Sequence, residues 1–334
     1  MIYIYYFCTP NYLQNSLYMT KILVVGAAGQ IGTELIPHLQ KIYGFDNVIA
    51  ADIKPEMVKK LEGFSRAIQL DALDAAGYAE IVKREKVDSI FNLVALLSAT
   101  GEKNPMLAWN INMGALINSL EIAKENRCAL FTPSSIGAFG TDTPHDNTPQ
   151  DTVMRPGTMY GVCKVSGELL SDYYFQRFGV DTRSVRFPGI ISNGALPGGG
   201  TTDYAVEVFY EVIKNRHYTC ELPEDSFLDM LYMPDALEAC TQLMEADPSK
   251  LKHRNSFNIT SMSFSPKVLF ETIKKRVPEF TYDYRIDPVK EAIAASWPNS
   301  MDDTCARQEW GWSPKWDIEK MTDDMLAVLG KKLS

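Results

Sequence analysis

The sequence predicts an α/β fold: a doubly wound parallel sheet carrying a smaller C-terminal lobe. Three observations support this. Short apolar runs and helix-like stretches alternate along residues 22–187, and such alternation folds as a parallel sheet with helices on both faces. The first apolar run opens directly into a turn built on three spaced glycines. Beyond about residue 188 the strict alternation gives way to a glycine-rich loop and a mixture of short strands and helices.

Ile22–Val25 is an unbroken apolar run, the pattern of a strand buried on both faces. Gly26, Gly29 and Gly32 follow, and residues 33–43 read as a helix. Glycine meets three demands at such a junction: a tight turn, close backbone approach to a pyrophosphate, and close packing of helix on strand. The free N–H groups of the helix's first turn then face the phosphates. A bare glycine triplet is weak. Its weight comes from the strand before it, the helix after it, and Asp52, twenty positions beyond Gly32 at the end of the apolar run 48–51. A carboxylate there reaches an adenosine ribose, so the stretch reads as a Rossmann-type dinucleotide site.

Residues 55–63 then read as a helix and 67–70 as a third strand ending at Asp71. Asp71 and Ala72 stand where an adenine ring sits in a doubly wound sheet, and a helix cap is the competing role for Asp71. A helix over 78–85, a strand over 89–93, a loop over 95–104 and a long helix, Pro105–Asn126, come next. Residues 129–132 form a fifth strand running into Pro133, Ser134 and Ser135. A helix over 161–178 leads to a sixth strand, 182–187, broken by Pro188 and Gly189. Gly198, Gly199 and Gly200 precede Thr201 and Thr202, either a hinged lid that excludes water from a small ligand or a plain surface loop. Helices over 205–214 and 234–246 follow, and 256–259 returns as a seventh strand. The chain thus divides into an extension, 1–18, a dinucleotide-binding domain, 19–188, and a substrate-binding lobe, 189–334, with segments crossing back to the sheet.

A chain of 334 residues with 46% apolar and 22% charged residues is an ordinary globular sequence. A net charge of -9 argues against nucleic acid as a partner. Six scattered cysteines without a CxxC pair read as a reduced, intracellular protein, and four dispersed histidines give no metal site. Residues 1–18 lack Lys and Arg, unlike a secretory or mitochondrial leader, and their apolar part is too short to span a membrane. Met19, directly before the first strand, reads as the natural start, with an ordered arm as the alternative.

Tyr160 and Lys164 are four positions apart at the head of a helix and share one face. A phenol titrates near pH 10 and is a poor base at neutrality; a neighbouring ammonium favours the phenolate. Alone, the pair could be an ordinary amphipathic-helix contact. Ser135, at the carboxyl end of the fifth strand, adds a hydroxyl able to steady a substrate oxygen, with Ser134 as the adjacent competitor. Glycine turn, serine, tyrosine and lysine in this order make a specific set.

With these residues in hand the sequence resembles the extended short-chain dehydrogenase/reductase superfamily, and within it the short-chain-type L-threonine 3-dehydrogenases. The runs that carry the likeness are LVALLSATGEKNP (93–105), RPGTMYGVCK (155–164), and RFPGIIS (186–192) with LPGGGTTDYA (196–205). The resemblance implies catalysis by Ser135, Tyr160 and Lys164. It implies NAD as cofactor, held by Gly26, Gly29, Gln30, Ile31, Gly32, Asp52, Ile53, Asp71, Ala72, Leu93, Ala95, Tyr160, Lys164, Pro188 and Ile190. L-Threonine would lie among Ser98, Ser135, Tyr160, Thr201, Thr202 and Trp297, with Tyr160 taking the β-hydroxyl proton as hydride leaves. The product, 2-amino-3-oxobutanoate, would pass to a partner CoA ligase. Ser98 could equally be a solvated or capping serine and Trp297 a core residue; Asn112 reads as structural, and Asp302 and Asp303 as surface or interlobe contacts. No metal is implied. The family often forms homodimers through two long helices, here Pro105–Asn126 and residues 161–178, in the mitochondrial matrix or the cytoplasm. Two alternatives compete: a sugar-nucleotide epimerase/dehydratase, with Arg216, Arg254, Arg285 and Arg307 as candidates for a diphosphate, and a non-catalytic NAD-sensing regulator.

Overall fold

Ile22, Leu23, Val24 and Val25 form β1 (Ile22–Val25) and are at most 1% exposed. Alternation along the strand sends Ile22 and Val24 into one apolar cluster and Leu23 and Val25 into another, so both faces of the sheet are covered. Each such side chain contributes roughly 1.5–3 kcal/mol by leaving water. The computed structural model describes residues 19–194 and 200–333; the extension 1–18, Gly198 and Gly199 lie outside them.

Helix α1 (Gln30–Tyr43) crosses to β2 (Val48–Asp52), and α2 (Pro55–Leu61) to β3 (Arg66–Gln69). Next, α3 (Ala75–Glu85), capped by the Asp74 carboxylate on the Gly77 N–H, leads to β4 (Ser89–Asn92) on the other side of β1. The strand order reverses there, and this switch point opens a crevice at the carboxyl ends of β1 and β4. The stretch expected as a loop over 95–104 contains a one-turn-and-a-half helix, α4 (Ser98–Lys103). It carries no apolar periodicity, and Gly101 lets it pack against the Ala108 methyl of the next helix, α5 (Pro105–Asn126). β5 (Ala129–Phe131) and β6 (Ser134–Ser135) follow, then α6 (Met159–Phe178), which packs along α5.

The expected sixth strand is split. β7 (Thr182–Arg183) completes a parallel sheet of order β3-β2-β1-β4-β5-β7, whereas β8 (Val185–Phe187) pairs with β6. Ser184 makes the break by bonding residues 254, 256 and 257 through its backbone. After Pro188, β9 (Gly189–Ile191) begins a second small sheet.

The C-terminal part contains α7 (Tyr204–Asn215), β10 (His217–Cys220), β11 (Leu228–Tyr232) and α8 (Met233–Glu245). β12 (Phe257–Asn258), the expected returning strand, pairs in parallel with β8. β13 (Met262–Phe264), α9 (Pro266–Lys274), β14 (Thr281–Tyr284), α10 (Pro288–Ala294), α11 (Thr304–Trp310) and α12 (Ile318–Leu333) complete the chain. β11 pairs with β9 and β13, and β10 with β14. Helix α8 packs on α1, so one apolar cluster joins Leu35 and Ile36 to Leu237 and Leu243. No described helix is long and apolar enough to cross a membrane.

Candidate active site

Gly26 has φ +77°, the left-handed region, and a Cβ there would lie 3.1 Å from the Leu93 carbonyl carbon. The turn after β1 therefore lies directly against the end of β4. Its Gly26 and Ala27 N–H groups both donate to the Ala51 carbonyl at 3.0 Å. A Cβ on Gly32 would sit 2.5 Å from the Ala27 oxygen, so α1 approaches the turn more closely than any side chain permits. The Asp52 carboxylate accepts the Ala28 N–H at 3.0 Å, which ties the end of β2 to the glycine turn. The first bond closing α1 runs from Thr33 N–H to the Gly29 carbonyl at 3.1 Å. The N–H groups of Gln30, Ile31 and Gly32 thus have no acceptor in their own helix. No acidic side chain occupies that first turn, so an anion meets no like charge there.

Further along the same edge, three predicted residues converge on one loop. Ser135 Oγ accepts the Gly137 N–H at 3.1 Å. A Cβ on Gly137 would lie 3.2 Å from the Tyr160 ring and 3.5 Å from Ser135 Oγ, so hydroxyl and ring flank the same glycine. Gly161 is equally constrained: a Cβ would come within 2.2 Å of the Gly137 oxygen. Thr158 caps α6 through the Gly161 N–H at 3.1 Å. One turn on, Lys164 Nζ donates to the Pro133 carbonyl at 2.6 Å and stands 5.3 Å from the centre of the Tyr160 ring. Ser135, Tyr160 and Lys164 are all half-buried.

Sequence reasoning missed what lies behind them. Glu168, one turn beyond Lys164, accepts from Arg186 Nε at 3.0 Å and Nη2 at 2.9 Å, and from the Ser134 hydroxyl. Arg186 also donates to the Gln150 carbonyl and to Asn258 Oδ1 at 2.8 and 2.9 Å. The only signal was a charged residue inside an apolar strand, which demands a buried partner without naming it.

Residues 22–260 match the family described as "NAD dependent epimerase/dehydratase family". The chain belongs to this family. An uncharacterized epimerase/dehydratase of Staphylococcus aureus (strain USA300) is 52% identical over 315 residues, covering 94% of this chain and 98% of its own length. Among solved structures, an L-threonine dehydrogenase from Clostridium difficile superposes with a TM-score of 0.92 at 52% identity, covering 94% of this chain and 99% of that one. An L-threonine dehydrogenase from Phytophthora infestans gives 0.90 at 46%, covering 94% and 100%.

NAD is the cofactor of this family member, and the chain's own geometry fits it. The glycine turn leaves no room for side chains, and the first-turn N–H groups of α1, without acceptors in their own helix, are the donors that a pyrophosphate takes.

Around that crevice the other expected residues take different positions. Leu93 bonds to the Val25 carbonyl beside Gly26, and Ala95 lines the cleft that also holds Lys164. Ile53, next to Asp52, is 52% exposed. Asp71 Oδ1 accepts the Leu73 N–H at 2.9 Å in a turn, while the cap of α3 is Asp74. Ala72 is buried and its carbonyl accepts from Asn118. Pro188 is buried and Ile190 half-buried, where β8 passes into β9. Ser98, buried, opens α4. Thr201 is buried, and the Thr202 methyl reaches β9 because Gly189 has no Cβ to collide with it. Trp297 is buried in the C-terminal apolar cluster. Asn112 closes a pair of bonds with the backbone of Leu96, as expected of a structural residue.

Three of the arginines weighed for a diphosphate are already engaged. Arg254 is buried on Asp181, Arg307 pairs with Asp303, and Arg216 with Glu279.

Proposed function

We propose that the protein oxidises L-threonine at its β-hydroxyl to 2-amino-3-oxobutanoate with NAD. The observation that carries the reading is the convergence of the Ser135 hydroxyl and the Tyr160 ring on Gly137, with the Lys164 ammonium one turn away. Similarity to L-threonine dehydrogenases at 46–52% identity over nearly the whole chain supports the substrate. The engaged arginines Arg216, Arg254 and Arg307 weigh against a sugar diphosphate.

In this reading residues 19–188 hold NAD and residues 189–334 form the substrate lobe. Gly26, Gly29, Gln30, Ile31 and Gly32 hold the pyrophosphate, Asp52 and Ile53 the adenosine ribose, and Asp71 and Ala72 the adenine. Leu93, Ala95, Pro188 and Ile190 line the path to the nicotinamide ring, with Tyr160 and Lys164 beside it. Bound NAD supplies the hydride acceptor. Ser135 donates to the substrate oxygen and orients it. The hydroxyl proton passes to Tyr160 Oη as the base, and the Lys164 ammonium offsets the negative charge that this oxygen carries before the transfer. Ser98, Thr201, Thr202 and Trp297 surround the amino acid and exclude water.

The product is a β-keto acid that a CoA-dependent ligase would cleave. We also propose an intracellular location, in the cytoplasm rather than the mitochondrial matrix given the bacterial relative, and a homodimer through α5 and α6.

The test is NADH absorbance from purified protein with NAD and L-threonine, compared with UDP- and dTDP-sugars. NADH is expected with threonine alone. Tyr160→Phe is expected to lower kcat by about 10²–10⁴-fold while NAD still binds. Near-normal turnover by that variant would remove Tyr160 from the proton transfer, and bound NAD without oxidation of threonine would favour the non-catalytic regulator.

A further inference from the structure

Two segments distant in sequence meet at α11. His253 lies in the loop before β12; Cys305 and Glu309, four positions apart, share one face of α11. Among the described residues, the ligand atoms of His253, Cys305 and Glu309 all come within 4.8 Å of one another, and the three side chains are half-buried. We propose that they bind a divalent cation of the zinc type through His253 Nδ1, Cys305 Sγ and Glu309 Oε1, with water in the fourth position.

The surroundings are arranged as such a site requires. Glu309 Oε2 is fixed by the backbone N–H groups of Lys252 and His253, at 2.5 and 3.1 Å, which leaves Oε1 against His253 Nδ1. On the far side of the ring, Asp151 Oδ2 lies 3.3 Å from Nε2. That carboxylate is exposed, and its contact with Nε2 leaves Nδ1 toward the cluster, the arrangement seen in the partners of metal-bound imidazoles. One nitrogen, one sulfur and one oxygen suit zinc and not calcium or magnesium, which take oxygen ligands. The ion would clip α11 to the loop that leads into β12, the strand paired with β8.

The test uses the full, untagged chain stripped with EDTA. Titration with Zn²⁺ is expected to give one equivalent bound, a proton released on binding, and a higher melting temperature. Cys305→Ser, Cys305→Ala and His253→Ala are each expected to weaken binding more than tenfold, and Asp151→Asn by about 10–100-fold. His217→Ala, in β10, leaves it unchanged. Co²⁺ in the wild-type chain is expected to give a thiolate-to-metal absorption band. Metal-free melting curves check that the variants fold, and the cobalt band decides the matter without any variant. Failure to bind one equivalent, or a cobalt complex lacking the thiolate band, would overturn the proposal. Affinity unchanged in Cys305→Ser would do the same. His253 and Glu309 would then be a hydrogen-bonded staple.

Discussion

Glu168 and Arg186 each leave only 5% of their side chains exposed, a depth at which removing one partner leaves the other charge buried without compensation. Glu168 stands on α6 one turn past Lys164, and its Ser134 contact reaches the neighbour of Ser135. The pair therefore fixes the distance between the strand that carries the serine and the helix that carries the tyrosine. Glu168→Ala should cost about 3–5 kcal/mol in urea unfolding, because it strands the guanidinium. Glu168→Gln, which keeps the size and an acceptor but not the charge, should lose less, and equal losses would mean that the carboxylate's charge carries the whole effect. Ser135, Tyr160 and Lys164 were legible because helix periodicity and a strand end fix where they point. The Glu168–Arg186 pair was not, since an arginine inside a strand announces a buried partner without identifying it. Gly137 and Gly161 were equally silent: nothing local distinguishes a glycine needed for a turn from one needed for a contact across the fold. His253, Cys305 and Glu309 converge only once β12 and α11 are assembled, which no spacing in the sequence reveals.

Helices α5 and α6 lie against each other, yet both also turn large apolar side chains to solvent. Val162, Leu169 and Tyr173 fall at i, i+7 and i+11 on α6, and Met106 and Ile117 are eleven positions apart on α5. Leu169 and Met106 are 62% and 63% exposed. Each set makes one stripe on its helix, and stripes of this kind on a pair of packed helices mark an interaction surface. Light scattering is expected to give a dimer for the wild-type chain and a monomer for Leu169→Glu, with the helix content by circular dichroism unchanged. A monomeric wild type would dispose of this interface. The long helices were legible from their length and from Pro105 at the first position of α5. The first five strands, too, could be read from their apolar runs. The split of the sixth was not, because Ser184 changes partners through backbone bonds that any residue could make. Helix α4 escaped because six residues are too few to show a period.

The halves of the chain are joined in more than one way, and Asp229 is one of the joints. It lies on β11, wholly buried, and accepts from the Thr260 hydroxyl at 2.5 Å and the Met301 N–H at 2.6 Å. Met301 in turn bridges to Thr148, so a single carboxyl gathers three distant segments. Burial pushes this carboxyl up to about 8, with Asp303 adding to the shift and the hydrogen bonds opposing it. The pH dependence follows from linkage. At acid pH the group is protonated folded or unfolded. As pH rises past the ordinary aspartate value, the unfolded chain ionises while the folded chain keeps its proton, and this draws the equilibrium toward unfolding. The group's contribution to stability is therefore complete below about pH 4, falls steadily as pH rises toward about 8, and is level above that. Carboxyls held low by ion pairs, such as Glu85 and Asp323, act only at the acid end of this range. Burial holds His38 low, which gives the opposite slope near neutrality. Asp229→Asn leaves all those groups in place and removes only the one titration. The unfolding free energy of the wild type minus that of the variant, measured in urea from about pH 5 to 9, should fall until about pH 8 and then flatten. A difference that stays constant over that range would mean that Asp229 is ionised in the native protein and that its hydrogen bonds outweigh its burial.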